Sequence, residues 1–96
     1  MPGQFSCTWT NDDLDAPWVH VSGRLDVTTT PYFERTLREA QLHVSEVVLD
    51  LRRMSSIDGF AVGRIVDACT RSRAGGATLR VVQGPTVHPL LTLAGG

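Results

Sequence analysis

The sequence predicts an α/β fold, a mixed four-stranded sheet with helices packed on it, entered through an N-terminal β-hairpin. Three observations carry this. Two segments near the N-terminus alternate apolar and polar residues with period two, two later segments repeat apolar residues at helical spacing, and a nearly continuous apolar run, Glu46 to Leu51, lies between those helical segments. After the hairpin the strands and helices alternate, giving the order β-β-α-β-α-β-α.

The hairpin is the clearest element. Phe5, Cys7 and Trp9 fall on one face of Phe5 to Thr10, and Ser6, Thr8 and Thr10 on the other. Asn11 to Asp15 is a turn cluster, where Asp12, Asp13 and Asp15 serve as turn-formers. Pro17 to Gly23 resumes the alternation, with Val19 and Val21 on one side and Trp18, His20 and Ser22 on the other. Thr28-Thr29-Thr30-Pro31 supplies hydroxyl caps and a proline suited to a first helical turn. A helix is predicted over 31–42, with Phe33, Leu37 and Ala40 inward and the pairs Glu34–Arg38 and Arg35–Glu39 on its solvated face. Glu46 to Leu51 reads as a central strand covered on both sides. A second helix follows Asp58, its N-cap, which accepts from the backbone N–H of Phe60 or Ala61. Val62, Ile65, Val66 and Cys69 form the inward stripe, Arg64, Asp67 and Arg71 face out, and Gly75-Gly76 ends the helix. Ala77 to Val82 is a last strand, and Pro85 to about Leu93 a short closing helix interrupted by Pro89.

Composition narrows the function classes. The 96 residues make one domain, 1–96, with a single modest core. A net charge of −1 leaves no basic excess for nucleic-acid binding driven by phosphate contacts. No apolar run reaches the ~20 residues of a membrane helix, and no secretory signal opens the chain, so a reducing cytoplasm is the expected setting. All nine basic residues are arginine, as a GC-rich coding sequence would give. Cys7 and Cys69 lie far apart and read as small core residues, and neither they nor His20, His43 and His88 stand at metal-ligand spacing. No nucleophile elbow, phosphate loop or zinc-protease motif occurs, so neither an enzyme nor a cofactor is expected.

The distinctive segment is the junction Ser55-Ser56-Ile57-Asp58-Gly59-Phe60, between the central strand and the second helix. Loops at strand C-termini are where open α/β sheets present functional groups. Read locally, the junction is either a capped helix start with two loop serines or a docking loop.

Four stretches, in register over residues 19–95, resemble the STAS domain, and within it the bacterial anti-sigma-factor antagonists. Gly23-Arg24-Leu25-Asp26-Val27-Thr28-Thr29 is similar to the family's G-x-L-D-x-x-T at the hairpin exit. Val47-Val48-Leu49-Asp50-Leu51, followed by Ile57-Asp58, is similar to its central strand and the signature aspartate. Arg73 to Leu79 resembles the R-x-x-G-x-x-L entry to the last strand, and Val87 with Leu90 to Gly95 the closing helix. Family members run somewhat beyond the position of Gly95, which implies a trimmed last element.

The resemblance implies a cytoplasmic, protein-binding regulator of transcription, whose partner is a kinase-fold anti-sigma factor. Its partner-binding surface would comprise Asp26, Asp58, Gly59, Phe60, Val62 and Gly63. The family reads D-S-[ST]-G-L at the signature loop and is phosphorylated on the first serine, whereas this chain reads Asp58-Gly59-Phe60-Ala61-Val62. Glycine has no hydroxyl, so the family's phosphorylation cannot occur at Gly59. Ser55 and Ser56 are the substitutes within reach. Phe60 is either an exposed anchor at the partner surface or a core residue of the helix stripe. Two other settings fit an altered signature loop. One is a STAS subunit of a lipid-transport ATPase complex or stress-signalling assembly, and the other a degenerate scaffold that binds a small ligand through Trp18 and His20.

Overall fold

The computed structural model describes residues 5–11, 16–42 and 44–84. Strands β1 (Ser6–Thr10) and β2 (Trp18–Leu25) are followed by helix α1 (Thr30–Gln41), strand β3 (Glu46–Ile57), helix α2 (Gly59–Ala74) and strand β4 (Thr78–Val82). The acidic turn over 12–15 and the closing helix over 85–93 lie outside the described residues. The four strands form one mixed sheet in the order β1-β2-β3-β4. β1 pairs antiparallel with β2, while β2–β3 and β3–β4 are parallel. This is the fold class the sequence predicts.

Both crossovers step in the same direction along the sheet, so right-handed connections place α1 and α2 on one face. The two helices touch there: Arg64 Nε donates to Glu34 Oε2 at 2.8 Å and Gln41 Nε2 to Ser72 Oγ at 3.0 Å. Val19, Val21 and Leu25 of β2 and Val47, Leu49 and Leu51 of β3 form the floor of the core. Phe33, Leu37 and Ala40 of α1 and Ala61, Val62, Ile65 and Ala68 of α2 close over it. Cys7 and Cys69 are free thiols packed against this core, and burial raises the pKa of both.

The expected cover on both sides of the central strand is met by helices on one side only, among the described residues. Val48 and Asp50 are nonetheless buried on the far face, beside Trp18 and His20.

β3 is twice as long as the apolar run suggests. Its pairing with β2 shifts register between His20 and Ser22 and again between Gly23 and Arg24, so β3 carries an extra residue at each place. The extra residues leave Arg52-Arg53 and Ser55-Ser56 exposed in adjacent pairs and turn Met54 inward to the core. Gly23, between the two shifts, has φ 87, which a side chain disfavours. Beyond β4 the backbone passes so close to β3 that a Cβ on Gly84 would lie 2.9 Å from Arg52 Cα.

The helix starts differ from each other. Asp58 caps α2 as predicted, accepting from Ala61 N–H at 2.8 Å. Thr29 occupies the N-cap of α1 but makes no side-chain cap. Its hydroxyl instead donates to Arg24 O at 2.9 Å and accepts from Asp26 N–H at 2.9 Å, which folds the connection back onto β2.

Candidate functional site

Two loops leave the C-terminal ends of the adjacent parallel strands β2 and β3. They are joined at the root, where Asp58 N–H donates to Leu25 O at 3.2 Å. Each begins with an aspartate and carries an exposed apolar residue shortly after it.

In the first loop Asp26 is the organiser. Its Oδ1 accepts from Thr28 N–H at 2.9 Å, from the Thr28 hydroxyl at 2.6 Å and from Thr29 N–H at 3.2 Å. These bonds, the Thr28 hydroxyl foremost, hold its carboxyl below the usual carboxylate range. The backbone carbonyl of Asp26 takes the hydroxyl of buried Thr30 at 2.6 Å. Asp26 thus shapes the loop from within, and Val27, 60% exposed, is what the loop presents.

In the second loop the strand ends at Ile57, Asp58 caps, and Gly59 opens α2. Phe60 is 51% exposed, so it is not a core residue of the helix stripe. The helical period explains this: Ala61, Val62, Ile65 and Ala68 take the inward positions. Val62, expected in the partner-binding set, is only 6% exposed and belongs to the core, so it leaves the candidate surface. Gly59 and Gly63 flank Phe60 along the exposed side, and a Cβ on either would meet nothing within 4 Å. Neither has a positive φ. The fold therefore does not require glycine at either position, and the missing hydroxyl at Gly59 is not a demand of packing.

Ser55 and Ser56 are exposed on the last part of β3, four and three residues before α2 begins. They belong to the strand rather than to the helix start where Gly59 sits. Val27 and Tyr32, the latter 60% exposed on the first turn of α1, were missed by motif reading. The signal available for Val27 was an apolar residue lodged between turn-formers.

Trp18 and His20 lie elsewhere, on the sheet face away from the helices, and are engaged with their neighbours. His20 Nδ1 is 3.1 Å from Asp50 Oδ2 and its Nε2 is 3.2 Å from the Thr10 hydroxyl. Arg52 Nε donates to Asp50 Oδ1 at 2.9 Å and its guanidinium lies over the Trp18 ring, which stacks on His20. The Arg52 hydrogen bonds pull the Asp50 carboxyl down to about 2, against the desolvation that burial imposes. An open cavity of about 320 Å³ lies between α1 and α2, lined by Leu37, Arg38, Arg64, Ala68 and Arg71 among others. Arg64 is matched there by Glu34 and Arg71 by Asp67.

Among the described residues no three His, Cys, Asp or Glu side chains gather as a metal site, and no helix is long and apolar enough to cross a membrane.

The family model of the STAS domain matches residues 10–95. The chain belongs to the STAS domain family. An anti-sigma factor antagonist from Mycobacterium paratuberculosis has a similar structure, with a TM-score of 0.82 at 22% identity over 99% of this chain and 81% of that one. The anti-sigma factor antagonist SpoIIAA in its unphosphorylated form superposes with a TM-score of 0.73 at 17% identity, over 94% of this chain and 81% of its own. A protein called Mglu matches with a TM-score of 0.69 at 21% identity, over 80% of this STAS domain and only 19% of Mglu itself. At such identities the likeness is one of fold. No curated protein sequence matches.

Proposed function

We propose that this STAS domain is a cytoplasmic bacterial regulatory module, an anti-sigma-factor antagonist that docks on a kinase-fold anti-sigma factor without the usual serine switch. The observation that carries the reading is Phe60. An aromatic ring half exposed on the first turn of α2, between Gly59 and Gly63 and beside the loop of Val27, has the composition of an interface centre. The similarity of fold to two anti-sigma factor antagonists supports the same reading. Asp58 fixes the start of α2 and Asp26 the neighbouring loop, so both act by positioning, while Phe60, Gly59, Gly63 and Val27 supply contact area.

Phosphorylation of the family serine would add about −1.5 to −2 charges at this surface. Gly59 removes that route, so the module stays competent to dock. The chemistry is recognition, and no residue in the set is assigned a catalytic step.

The test is a pull-down with the tagged chain, followed by titration of the captured partner. Recovery of a kinase-fold anti-sigma factor, bound at least tenfold more weakly by Phe60→Ala at unchanged melting temperature, is the expected result. Recovery of transporter ATPase and permease subunits would overturn the sigma-factor reading. A stoichiometric phosphate on Ser55 or Ser56 in protein from the source cell would overturn the claim that the serine switch is absent.

A further inference from the structure

β1 is the first strand of the sheet, and β2 is its only partner among the described strands. Among the described residues no other backbone pairs with its outer edge, which presents a row of N–H and C=O groups. Such edges template the pairing of another strand, and proteins usually blunt them with charge, proline, bulges or cover. β1 has none of the first three. Phe5 to Thr10 contains no charged residue and no proline, and its five-residue register with β2, Ser6 opposite Ser22 to Thr10 opposite Trp18, runs without a shift. The opposite edge is treated differently: β4 carries Arg80, which bonds Glu46 at 2.8 Å, and just past it Gly84 packs on the backbone of Arg52.

We propose that β1 is a self-association edge, through which two copies of this chain pair antiparallel about a twofold axis at Thr8. An antiparallel pair of identical strands is isologous, so one uncharged edge supplies both halves of the contact. Centring on Thr8 uses the whole strand. Thr8 then faces Thr8 of the second copy, Ser6 faces Thr10, and Cys7 faces Trp9. On the open face this produces hydroxyl pairs, which are favourable across a ladder. On the helix face it brings the thiol of Cys7 against Trp9, an indole 42% exposed in the single chain. The result is a continuous eight-stranded sheet. The loops of Val27 and Phe60 lie at the ends of β2 and β3 rather than along this edge, so a dimer displays two docking sites at once. The proposal does not depend on what docks there.

The experiment uses the full chain. Sedimentation over micromolar to near-millimolar concentration is expected to show a reversible dimer. Thr8→Lys puts like charges directly across the axis and is expected to weaken association about tenfold or more, with an unchanged far-UV spectrum and melting temperature. Thr8→Cys is expected to yield, under mild oxidation, a dimer linked through residue 8 of both copies. Directly opposed strand residues have Cα atoms about 4.5–5.5 Å apart, within the range a disulfide spans. A wild-type chain that stays monomeric throughout overturns the proposal, as does a dimer that Thr8→Lys leaves intact. A cross-link mapped to Cys69 instead of residue 8 also overturns it. Should Thr8→Lys fail to fold, the wild-type sedimentation and the mapped cross-link decide without it.

Discussion

Gly63→Ala separates the demands of folding from those of docking, because the two change in opposite directions. Gly63 lies inside the 16-residue helix α2, with ordinary helical backbone. Glycine there costs about 0.8–1.0 kcal/mol relative to alanine, through the extra freedom it has in the unfolded chain. Usually a tight neighbour explains the cost, but a Cβ on Gly63 would find nothing within 4 Å. The substitution therefore adds no clash, and its whole effect on the isolated domain should be a gain of roughly 0.5–1 kcal/mol. For a domain of this size that raises the melting temperature by a few degrees, since 1 kcal/mol corresponds to about 4–8 °C. If a partner backbone approaches the bare helix beside Phe60, the added methyl overpacks the contact, which costs about 1–3 kcal/mol, roughly 5- to 150-fold in affinity. Thermal unfolding by circular dichroism reads the first quantity, and titration with whichever partner the pull-down captures reads the second. A melting temperature that falls would refute the account of an open helix face. A rise with unaltered affinity would remove Gly63 from the docking surface.

Other residues of the fold give equally direct outcomes. Asp58→Ala should cost about 0.5–2 kcal/mol by freeing the Ala61 N–H that its carboxylate holds at 2.8 Å, read by urea denaturation. Gly23→Ala should cost about 1–2 kcal/mol, because φ 87 at that strand position is unfavourable for any residue with a side chain, and chemical denaturation measures it. Asp50, held at about 2 against an ordinary 3.8, makes the domain acid-sensitive. The folded state binds the proton less readily than the unfolded one, so the stabilisation is complete above pH 4 and lost as pH falls toward 2. It amounts to roughly 2 kcal/mol, and Asp50→Asn should flatten that part of a stability-versus-pH curve.

The helix-side half of the fold was legible because its chemistry is periodic. Phe33, Leu37 and Ala40 mark α1 by their helical spacing, and the alternation around Val19 and Val21 marks β2. The second half of β3 was not legible. Arg52-Arg53 and Ser55-Ser56 break a two-residue period, and sequence alone cannot tell a loop from a strand whose register slips against a neighbour. The candidate site divides the same way. Asp58 was readable as a cap from its own neighbourhood. The status of Phe60 was not, because helix phase decides it, and Ala61, with less surface to bury, proved to hold the inward place. Val27 became visible only once the pairing of β2 with β3 had brought two separate loops side by side.

That pairing also governs when the site comes into being. His20 and Asp50, opposed across β2 and β3, are 30 residues apart in the chain, and Arg80 reaches Glu46 across 34. Only the β1–β2 ladder closes over a short span, with Thr10 and His20 separated by 10. Long-range pairings carry most of the loop-closure entropy and form late, so domains built on them fold slowly. The Val27 and Phe60 loops depend on the slow step, since their shared root, the bond from Asp58 to Leu25, exists only after β3 has found β2. Before that pairing forms, neither loop has its partner at the root. A partner that engaged both loops would therefore bind only copies in which β2 and β3 have paired.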